Sequence, residues 1–419
     1  MKEKSDQHII LAIETSCDET AVSIVRCTKN ESGEISNEIV GQRLFSQADL
    51  HSMYGGVYPH LAKREHAKRI FPLIIDLLRE VGPKLDDTAT SEPANFLPEL
   101  INEISIKGSD LIETFSTHRD ELEKFRPNVT HIAVTAGPGL EPALWVGINA
   151  AKLLATLWNV PLIPSNHMEG HIYSGLINKV SNPNELFPAL ALLISGGHTE
   201  FVRVQAVGTY ERIGTTKDDA IGEAFDKTAR LLDLPYPGGP KLSALAEQAR
   251  IANLPADPEI VLPRPMIDSH DLYMSFSGLK TAVLYLVKRL KADPMRLEAD
   301  GTLKIETKQN IAREFEASVS DVIAAKLELA IGETTPKSLL IGGGVIANNT
   351  LKKRISAVAE VNGIPLYIPD TEHATDNASM IGLAAGLRLL TGTAIVYAPT
   401  DEEQIKTLAA HGTLDYARF

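Results

Sequence analysis

The stretch HIILAIETSCDETAVSIV, residues 8–25, contains the pattern that decides the fold. An apolar run, a polar turn at residues 16–20 and a second apolar run predict two strands joined by a turn. The same order returns in FPALALLISGGHTEFVRVQAV, with a strand predicted at 190–194, a turn at 195–199 and a strand at 201–207. The chain is therefore predicted to contain a duplicated α/β domain.

Each predicted hairpin is followed, further along the chain, by a strand, a helix and a strand. This unit runs from HIAVTAGPGL to NVPLIP in the first half and from KSLLIGGGVIANNTLKKRI to IPLYIP in the second. Because ligands of α/β proteins collect where loops leave the strand ends, the polar turns of two lobes are predicted to face one cleft. Neither half contains a G-x-x-x-x-G-K-[ST] phosphate loop or a convincing G-x-G-x-x-G motif.

The repeat predicts a first lobe at about residues 1–174 and a second at 187–372. A helix expected at about 375–392 would pack back on the first lobe. Two insertions interrupt this scheme. The first, at about 85–128, contains the amphipathic pieces FLPELINEI and DLIETFSTHRDELEKF, which could form a helical hairpin or a surface loop. The second, at about 218–333, is predicted to be mainly helical, with a proline-rich interruption near LPRPM.

The composition is typical of a globular protein of two domains. The 419 residues are 44% hydrophobic, and 41 Lys and Arg against 54 Asp and Glu give a formal charge of −13. No apolar run approaches the ~18 residues of a membrane span. MKEKSDQHII lacks the apolar region of a secretory signal, and Cys17 and Cys27 are the only cysteines, so we expect a cytoplasmic protein. The acidic balance argues against nonspecific nucleic-acid binding across the whole surface.

Two histidines four residues apart, His167 and His171, lie in the stretch SNHMEGHIYSG. On a helix they would share one face, with Cβ atoms roughly 5–6 Å apart, so both imidazoles could reach one metal ion. Two ordinary polar residues are the alternative interpretation. A zinc peptidase needs H-E-x-x-H, whereas Glu169 stands midway and points off the shared face, which makes the peptidase interpretation weak.

Other candidate residues lie in turns and on one helix. The glycines of ISGGHT let backbone amides approach phosphate or carboxylate oxygens, or serve only as a tight turn. GGGVIANNT leaves room for a nucleotide, and its Asn348 could bond a ligand or cap the helix. Asp18 and Glu19 are acids between two strands, where turn chemistry is an alternative explanation. KDDAIGEAFDK places acids, Asp226 among them, along one helical face, which could meet a ligand or only face solvent.

Taken in order, the motifs resemble those of one family. They are IETSCDET, HSMYGGVYPHLAKREH, TAGPGL, HMEGH, LLISGGHT, DDAIGEAFDKTARLLDLPYPGGP, PRPM with SFSGLKT, GGGVIAN and ATDNASMI, from about residue 9 to residue 390. The chain resembles the TsaD family of tRNA threonylcarbamoyltransferases in its bacterial and mitochondrial type. This family includes the catalytic subunit of the archaeal and eukaryotic KEOPS complex. The resemblance implies an actin-like (hexokinase/Hsp70-type) fold of two lobes with a central cleft.

The resemblance also implies roles for individual residues. His167 and His171 would be metal ligands, completed by Asp376 at the start of the final helix. The metal would be iron(II), with zinc(II) as the alternative. Asp18 and Glu19 would form a turn that faces the cleft, where we expect a catalytic role. The substrate contacts would come from Leu193, Ile194, Ser195, Gly196, Gly197, Asp226, Gly239 and Asn348.

The implied reaction transfers the threonylcarbamoyl group from threonylcarbamoyl-adenylate to N6 of the adenosine 3′ of the anticodon, in tRNAs that read ANN codons. AMP leaves. Acyl transfer to a poorly nucleophilic exocyclic amine needs a polarised carbonyl and a positioned acceptor, which a Lewis-acidic metal and an oriented donor can supply. The rival interpretations are a metallopeptidase, because the family was once described as a glycoprotease, an actin-like ATPase or sugar kinase, and a noncatalytic relative.

A chain of charge −13 is expected to need help in bringing a tRNA to its cleft. The resemblance implies a TsaB-like paralogue and a TsaE-like ATPase as partners, with a homodimer as the alternative. The docking surface is expected around residues 58–74, where Leu61, Ile70 and Ile74 would offer apolar contact. The run AKREHAKRI could contact tRNA phosphate or be a solvated helix face. His60, where many bacterial relatives have Glu, and the long first insertion depart from the family pattern.

Overall fold

The computed structural model describes residues 6–54, 56–81, 92–125 and 128–416, so part of the predicted insertion at about 85–128 lies outside the described residues. The strands are β1 (Asp6–Glu14), β2 (Glu19–Lys29), β3 (Ile35–Ser46), β4 (His131–Gly137), β5 (Leu162–Asn166), β6 (Ala189–Ile194), β7 (Thr199–Ala206), β8 (Thr209–Thr215), β9 (Ser338–Gly342) and β10 (Leu366–Tyr367). The helices are α1 (Ala48–Ser52), α2 (Pro59–Val81), α3 (Leu97–Ser105), α4 (Ser109–Lys124), α5 (Glu141–Trp158), α6 (His167–Tyr173), α7 (Pro183–Leu186), α8 (Ile221–Leu231), α9 (Gly238–Ile251), α10 (Ser277–Leu290), α11 (Ile305–Thr334), α12 (Asn349–Val361), α13 (Ala378–Thr391) and α14 (Glu402–Thr407).

The chain divides into two compact units. Unit 1 consists of Met1–Leu186, Gln205–Tyr210 and Thr375–Phe419, and unit 2 consists of Phe187–Val204 and Glu211–Ala374. The lobe limits inferred from the sequence repeat stay a prediction. Within the described residues, no helix combines the length and the apolar character needed to cross a membrane.

Two five-stranded sheets repeat one topology. Their strand orders are β3-β2-β1-β4-β5 and β8-β7-β6-β9-β10. In each sheet the first hairpin strand is central: β1 and β6 pair antiparallel with β2 and β7, and parallel with β4 and β9. The parallel order continues from β4 to β5 and from β9 to β10. This duplicated arrangement confirms the predicted actin-like α/β fold.

The sheet of unit 1 is buried because β1 and β2 are apolar on both faces. Helix α13 approaches β2 closely at two glycines: a Cβ on Gly386 would lie 2.3 Å from Cys27 Sγ, and one on Gly382 would lie 2.7 Å from a methyl group of Val25. Helices α2 and α5 contribute to the core of this unit. Asp376 lies just before α13, and α13 is not the final helix as expected, since α14 follows it.

The first predicted insertion contains a helical hairpin in its described part, formed by α3 and α4. Leu100 and Phe115 are buried in the core of unit 1, and the Phe71 and Phe115 rings lie 5.3 Å apart. The same core contains Ile70 and Ile74, which are both 0% exposed. The expectation that these two isoleucines offer apolar contact to a partner is therefore wrong, because the inner face of α2 is already covered.

Unit 2 buries its sheet under a group of helices. Phe225 of α8 and Phe315 of α11 meet edge to face, with ring centroids 5.0 Å apart, inside a core shared by α8 to α12. Helices α8 to α11 occupy much of residues 218–333. The proline-rich segment near LPRPM lies in the irregular connection between α9 and α10.

Candidate functional site

The two histidines predicted as a pair lie at the start of α6 in unit 1. Asn166, the last residue of β5, caps this helix, because its side-chain oxygen accepts hydrogen bonds from the amides of Met168 at 2.9 Å and Glu169 at 3.3 Å. One helical turn then places both imidazoles on the same face, with ring centroids 4.7 Å apart. The cap thus fixes where the helix begins and which side the histidines occupy.

Asp376 brings a carboxylate to the two imidazoles from a position 205 residues further along the chain than His171. Its Oδ1 lies 3.0 Å from His171 Nε2 and 3.5 Å from His167 Nε2. The three ligand atoms all lie within 4.8 Å of one another. Two imidazole nitrogens and a carboxylate oxygen form a set that can hold a divalent metal ion and leave further coordination positions open. The structure thus brings together the three residues predicted as metal ligands.

The other nitrogens of the two rings differ in their surroundings. His167 Nδ1 lies 3.2 Å from both Ser16 Oγ and Glu14 Oε2. His171 Nδ1 is buried and has no hydrogen-bond partner within the described part of the chain. Burial by itself lowers the pKa of His167, but the carboxylates of Asp376 and Glu14 outweigh it and raise the pKa to about 9. A metal ion would therefore displace a proton from this ring.

Glu14 supports the metal-ligand set and was not singled out from the sequence. Its carboxylate is 0% exposed, and it accepts hydrogen bonds from the backbone amide of Ser16 and the hydroxyl of Thr135. Burial raises the pKa of this carboxyl, but the neighbouring His167 and the hydrogen bonds lower it below its ordinary value. The carboxylate orients the imidazole toward Asp376. An acid at the end of an otherwise apolar strand is the signal that could have marked it.

The predicted catalytic turn lies between β1 and β2, beside the same site. Asp18 and Glu19 are half-buried, and Ser46 donates a hydrogen bond of 3.1 Å to Glu19 Oε1. Burial, followed by the carboxylates of Asp376 and Asp18, raises the pKa of Glu19 to about 9. The Asp18–Glu19 turn is therefore close enough to Asp376 for the charges to interact.

Glu169, between the two histidines, points away from the metal-ligand set into a buried polar cluster. Both of its carboxylate oxygens lie 2.8 Å from Arg388 Nε, and Tyr210 donates a hydrogen bond to the same carboxylate. The hydroxyls of Tyr173 and Tyr210 are 2.9 Å apart. Glu169 is thus held by an arginine and a tyrosine and is not placed as the general base of a zinc peptidase would be. This arrangement argues against the metallopeptidase interpretation.

In unit 2 the turn predicted to contact substrate follows β6. Leu193 and Ile194 have buried side chains, so only their backbone could touch a ligand. Gly196 and Gly197 are exposed, and a Cβ on either would meet no atom within 4 Å. The turn is fixed at its base, because Ser195 donates its amide to the carbonyl of His198 at 2.8 Å. The turn therefore leaves open space beside its two glycines.

The remaining predicted substrate residues form bonds within unit 2. Asp226 Oδ1 accepts the amides of Gly238 at 2.8 Å and Gly239 at 3.0 Å, so the structure brings Asp226 and Gly239 together. Asn348 Oδ1 accepts the amide of Leu351 at 2.9 Å, and this bond caps α12. The side-chain Nδ2 of Asn348 donates hydrogen bonds to Ser243 Oγ and to Glu316 Oε1. The structure therefore gives Asn348 a capping role, and its contact with substrate stays a prediction.

The chain matches known proteins over most of its length. A model of the TsaD family, described as tRNA N6-adenosine threonylcarbamoyltransferase, matches residues 38–90 and 122–383. The protein of that name from Burkholderia vietnamiensis is 40% identical over 381 residues, which cover 91% of this chain and 92% of that protein. The protein of the same name from Burkholderia mallei gives the same identity and coverage. By its sequence, this chain belongs to the TsaD family of tRNA N6-adenosine threonylcarbamoyltransferases.

Proposed function

We propose that this chain transfers the threonylcarbamoyl group from threonylcarbamoyl-adenylate to N6 of the adenosine 3′ of the anticodon, in tRNAs that read ANN codons. N6 forms a bond to the carbamoyl carbon, the bond from that carbon to the phosphate oxygen breaks, AMP leaves and N6 loses a proton. The observation that carries the proposal is the convergence of His167, His171 and Asp376 in a chain of this family. The family name already implies a tRNA substrate.

The donor set fits one divalent metal ion, held by His167, His171 and Asp376. Two histidines and one carboxylate with open positions suit iron(II), and zinc(II) accepts the same donors. We propose iron(II) as the ion. When bound, it would polarise the carbonyl of the threonylcarbamoyl group. Glu14 would keep the imidazole of His167 in the required orientation through its contact with Nδ1.

The Asp18–Glu19 turn of unit 1 is proposed to contact the reacting groups. The Glu19 carboxyl is half-buried beside the carboxylates of Asp18 and Asp376, and we propose that it contacts a polar group of the substrate. Ser46 donates a hydrogen bond to Oε1 of this carboxyl. Asp18 is proposed to accept a hydrogen bond from the exocyclic amine of the adenosine.

In unit 2, the exposed amides of Gly196 and Gly197 are proposed to bind phosphate or carboxylate oxygens of the adenylate. Asp226 and Gly239 would line the same ligand, with Asp226 fixing the backbone at the start of α9. Asn348 would act from the start of α12. The open space beside the two exposed glycines is the feature that supports this assignment.

Gly196→Val is expected to lower the affinity for a nonhydrolysable adenylate analogue by at least about tenfold. The new side chain would point into open space rather than into the protein, so the fold should tolerate it while the approach to the amides is blocked. A lost hydrogen bond to a charged group is worth about 1.5–3 kcal/mol, and 1.4 kcal/mol corresponds to a tenfold change in affinity. Isothermal titration calorimetry gives the affinity, and metal analysis should show unchanged metal content.

Gly332→Val is the matched control, because Gly332 is also in unit 2, is exposed and has no atom within 4 Å of its added Cβ. This variant should bind the analogue as the natural chain does. Unchanged affinity in Gly196→Val would contradict the placement of the adenylate at this turn.

The function itself is tested by mass spectrometry of nucleosides from tRNA incubated with this protein, threonine, bicarbonate, ATP and an adenylate-forming enzyme. Threonylcarbamoyladenosine should form.

We also propose that a TsaB-like paralogue and a TsaE-like ATPase assist, since a chain of charge −13 must bind a polyanion. The free thiols of Cys17 and Cys27 agree with a reducing compartment, for which we propose the cytoplasm.

We expect the paralogue and the ATPase to raise the rate of modification, measured at one stated salt concentration because phosphate binding depends on salt. The assay compares the purified chain alone with the chain plus both partners. Multiple turnovers by the lone chain, at a rate the partners do not raise, would favour a self-sufficient homodimer instead.

A further inference from the structure

Two tyrosines of unit 1 are exposed and stacked on each other. Tyr54 is 61% and Tyr58 is 50% exposed, and their rings lie 5.6 Å apart at an angle of 19°. Met53 beside them is 81% exposed. Large aromatic side chains usually bury most of their surface, so a stacked pair held in solvent is a feature to explain.

Hydrogen bonds connect these tyrosines to the Asp18–Glu19 turn. The amide of Tyr54 donates to the carbonyl of His51 at 2.9 Å, and the amide of Tyr58 lies 3.2 Å from His51 Nδ1. The amide of His51 donates to the carbonyl of Gln47, and the amide of Gln47 donates to the carbonyl of Asp18 at 3.0 Å. These hydrogen bonds connect the backbone of both tyrosines to the turn proposed to meet the acceptor base.

Positive charge follows the pair directly. The first eleven residues of α2, PHLAKREHAKR, contain four basic side chains and one acidic side chain, in a chain whose formal charge is −13. The four are Lys63, Arg64, Lys68 and Arg69. Arg64, Lys68 and Arg69 are exposed. Lys68 pairs with the neighbouring Glu65, the guanidinium of Arg69 lies 4.6 Å from the centre of the Phe45 ring, and Lys63 donates to the carbonyl of Lys107 at 2.9 Å.

We propose that Tyr54 and Tyr58 form a stacking platform for an unpaired base of the tRNA anticodon loop, next to the adenosine that is modified. The inference rests on the proposed function. The exocyclic amine of a base becomes accessible when the base leaves its stack, and proteins that read single-stranded RNA commonly replace that stacking with aromatic side chains. The basic start of α2 would bind the adjoining phosphates. A protein partner on the same surface is the outcome that the test must separate.

The test compares Tyr54→Ala/Tyr58→Ala with Tyr54→Phe/Tyr58→Phe. Binding of a labelled anticodon stem–loop RNA is measured by fluorescence anisotropy at one salt concentration. The natural chain and each variant are measured separately, each with the same partners present. We expect the double alanine variant to bind roughly tenfold more weakly and the phenylalanine variant to bind normally, since stacking needs the ring and not the hydroxyl. The KM for tRNA should rise, while kcat at saturating tRNA changes little.

Tyr285→Ala is the matched control, because Tyr285 is 65% exposed and lies in unit 2. Unchanged RNA affinity in the double alanine variant would overturn the inference. Loss of paralogue binding with unchanged RNA affinity would also overturn it, and would identify the surface as a protein interface. A natural chain that forms no threonylcarbamoyladenosine in its complete assay would instead contradict the proposed function, so the two failures are distinguishable.

Discussion

His171→Ala is expected to remove the bound metal and to lower threonylcarbamoyl transfer by about a hundredfold or more. A Lewis acid contributes several kcal/mol of charge stabilisation, and each 1.36 kcal/mol is worth tenfold in rate. Replacing His171 breaks no other hydrogen bond through Nδ1, because this atom has no partner among the described residues. Its Nε2 faces Asp376. Metal content by plasma mass spectrometry and transfer by nucleoside analysis should fall together.

His167→Ala should have the same effect on metal and transfer, with an added loss of stability. The imidazole of His167 is a partner of the fully buried Glu14, so its removal leaves a buried carboxylate less well compensated. His118→Ala on α4 is the control, since His118 bonds only a carbonyl of its own helix in the described structure, that of Thr114. Full metal content in both the His167→Ala and the His171→Ala protein would end the metal-ligand hypothesis.

Arg388→Met should destabilise unit 1 by about 3–5 kcal/mol, because it leaves Glu169 buried without its charge partner. Glu169 is 1% and Arg388 is 4% exposed. Trp145 and Trp158 are the only tryptophans, and both lie on α5 of unit 1. Urea unfolding followed by tryptophan fluorescence therefore reports this unit by itself, without assuming that the whole chain unfolds in one step.

Arg26→Met provides the matched control in the same unit. The Arg26–Glu38 ion pair is at the surface, with the glutamate side chain 61% exposed, so its loss should cost no more than about 1 kcal/mol. Replacing both buried partners, in Glu169→Leu/Arg388→Met, should recover much of the stability, because no unpaired charge remains. Equal unfolding midpoints for Arg388→Met and Arg26→Met would show that the buried ion pair contributes no more to the stability of unit 1 than the surface ion pair does.

The central hairpins of both sheets were predictable from the sequence, whereas the third strands were not. β1, β2 and β6 are buried on both faces, so their apolar runs are continuous and their polar turns are conspicuous. β3, with the sequence ISNEIVGQRLFS, mixes exposed and buried residues without a regular alternation. β8, TYERIGT, has a single fully buried residue. Edge strands of this kind carry little periodic signal.

The candidate site shows the same division between local and long-range information. The pair His167 and His171 is a local pattern on one helix, and sequence reasoning could find it. Asp376 was predicted as a metal ligand only through the family resemblance. Glu169 forms its hydrogen bond with Arg388, which is 219 residues further along the chain. No local spacing connects such partners, because tertiary folding alone brings them together. The burial of Ile70 likewise depends on which face of α2 meets the core.

Unit 1 is assembled from segments that are far apart in the chain and are therefore synthesised at different times on the ribosome. His171 and Asp376 are 205 residues apart, which at about 5–20 residues per second is a delay of about 10–40 s. Throughout that interval the growing chain has both histidines but lacks their carboxylate, and α13 has yet to cover β1 and β2. A nascent chain therefore cannot bring His171 and Asp376 together, and α13 cannot cover β1 and β2, until residues 376–391 have been synthesised.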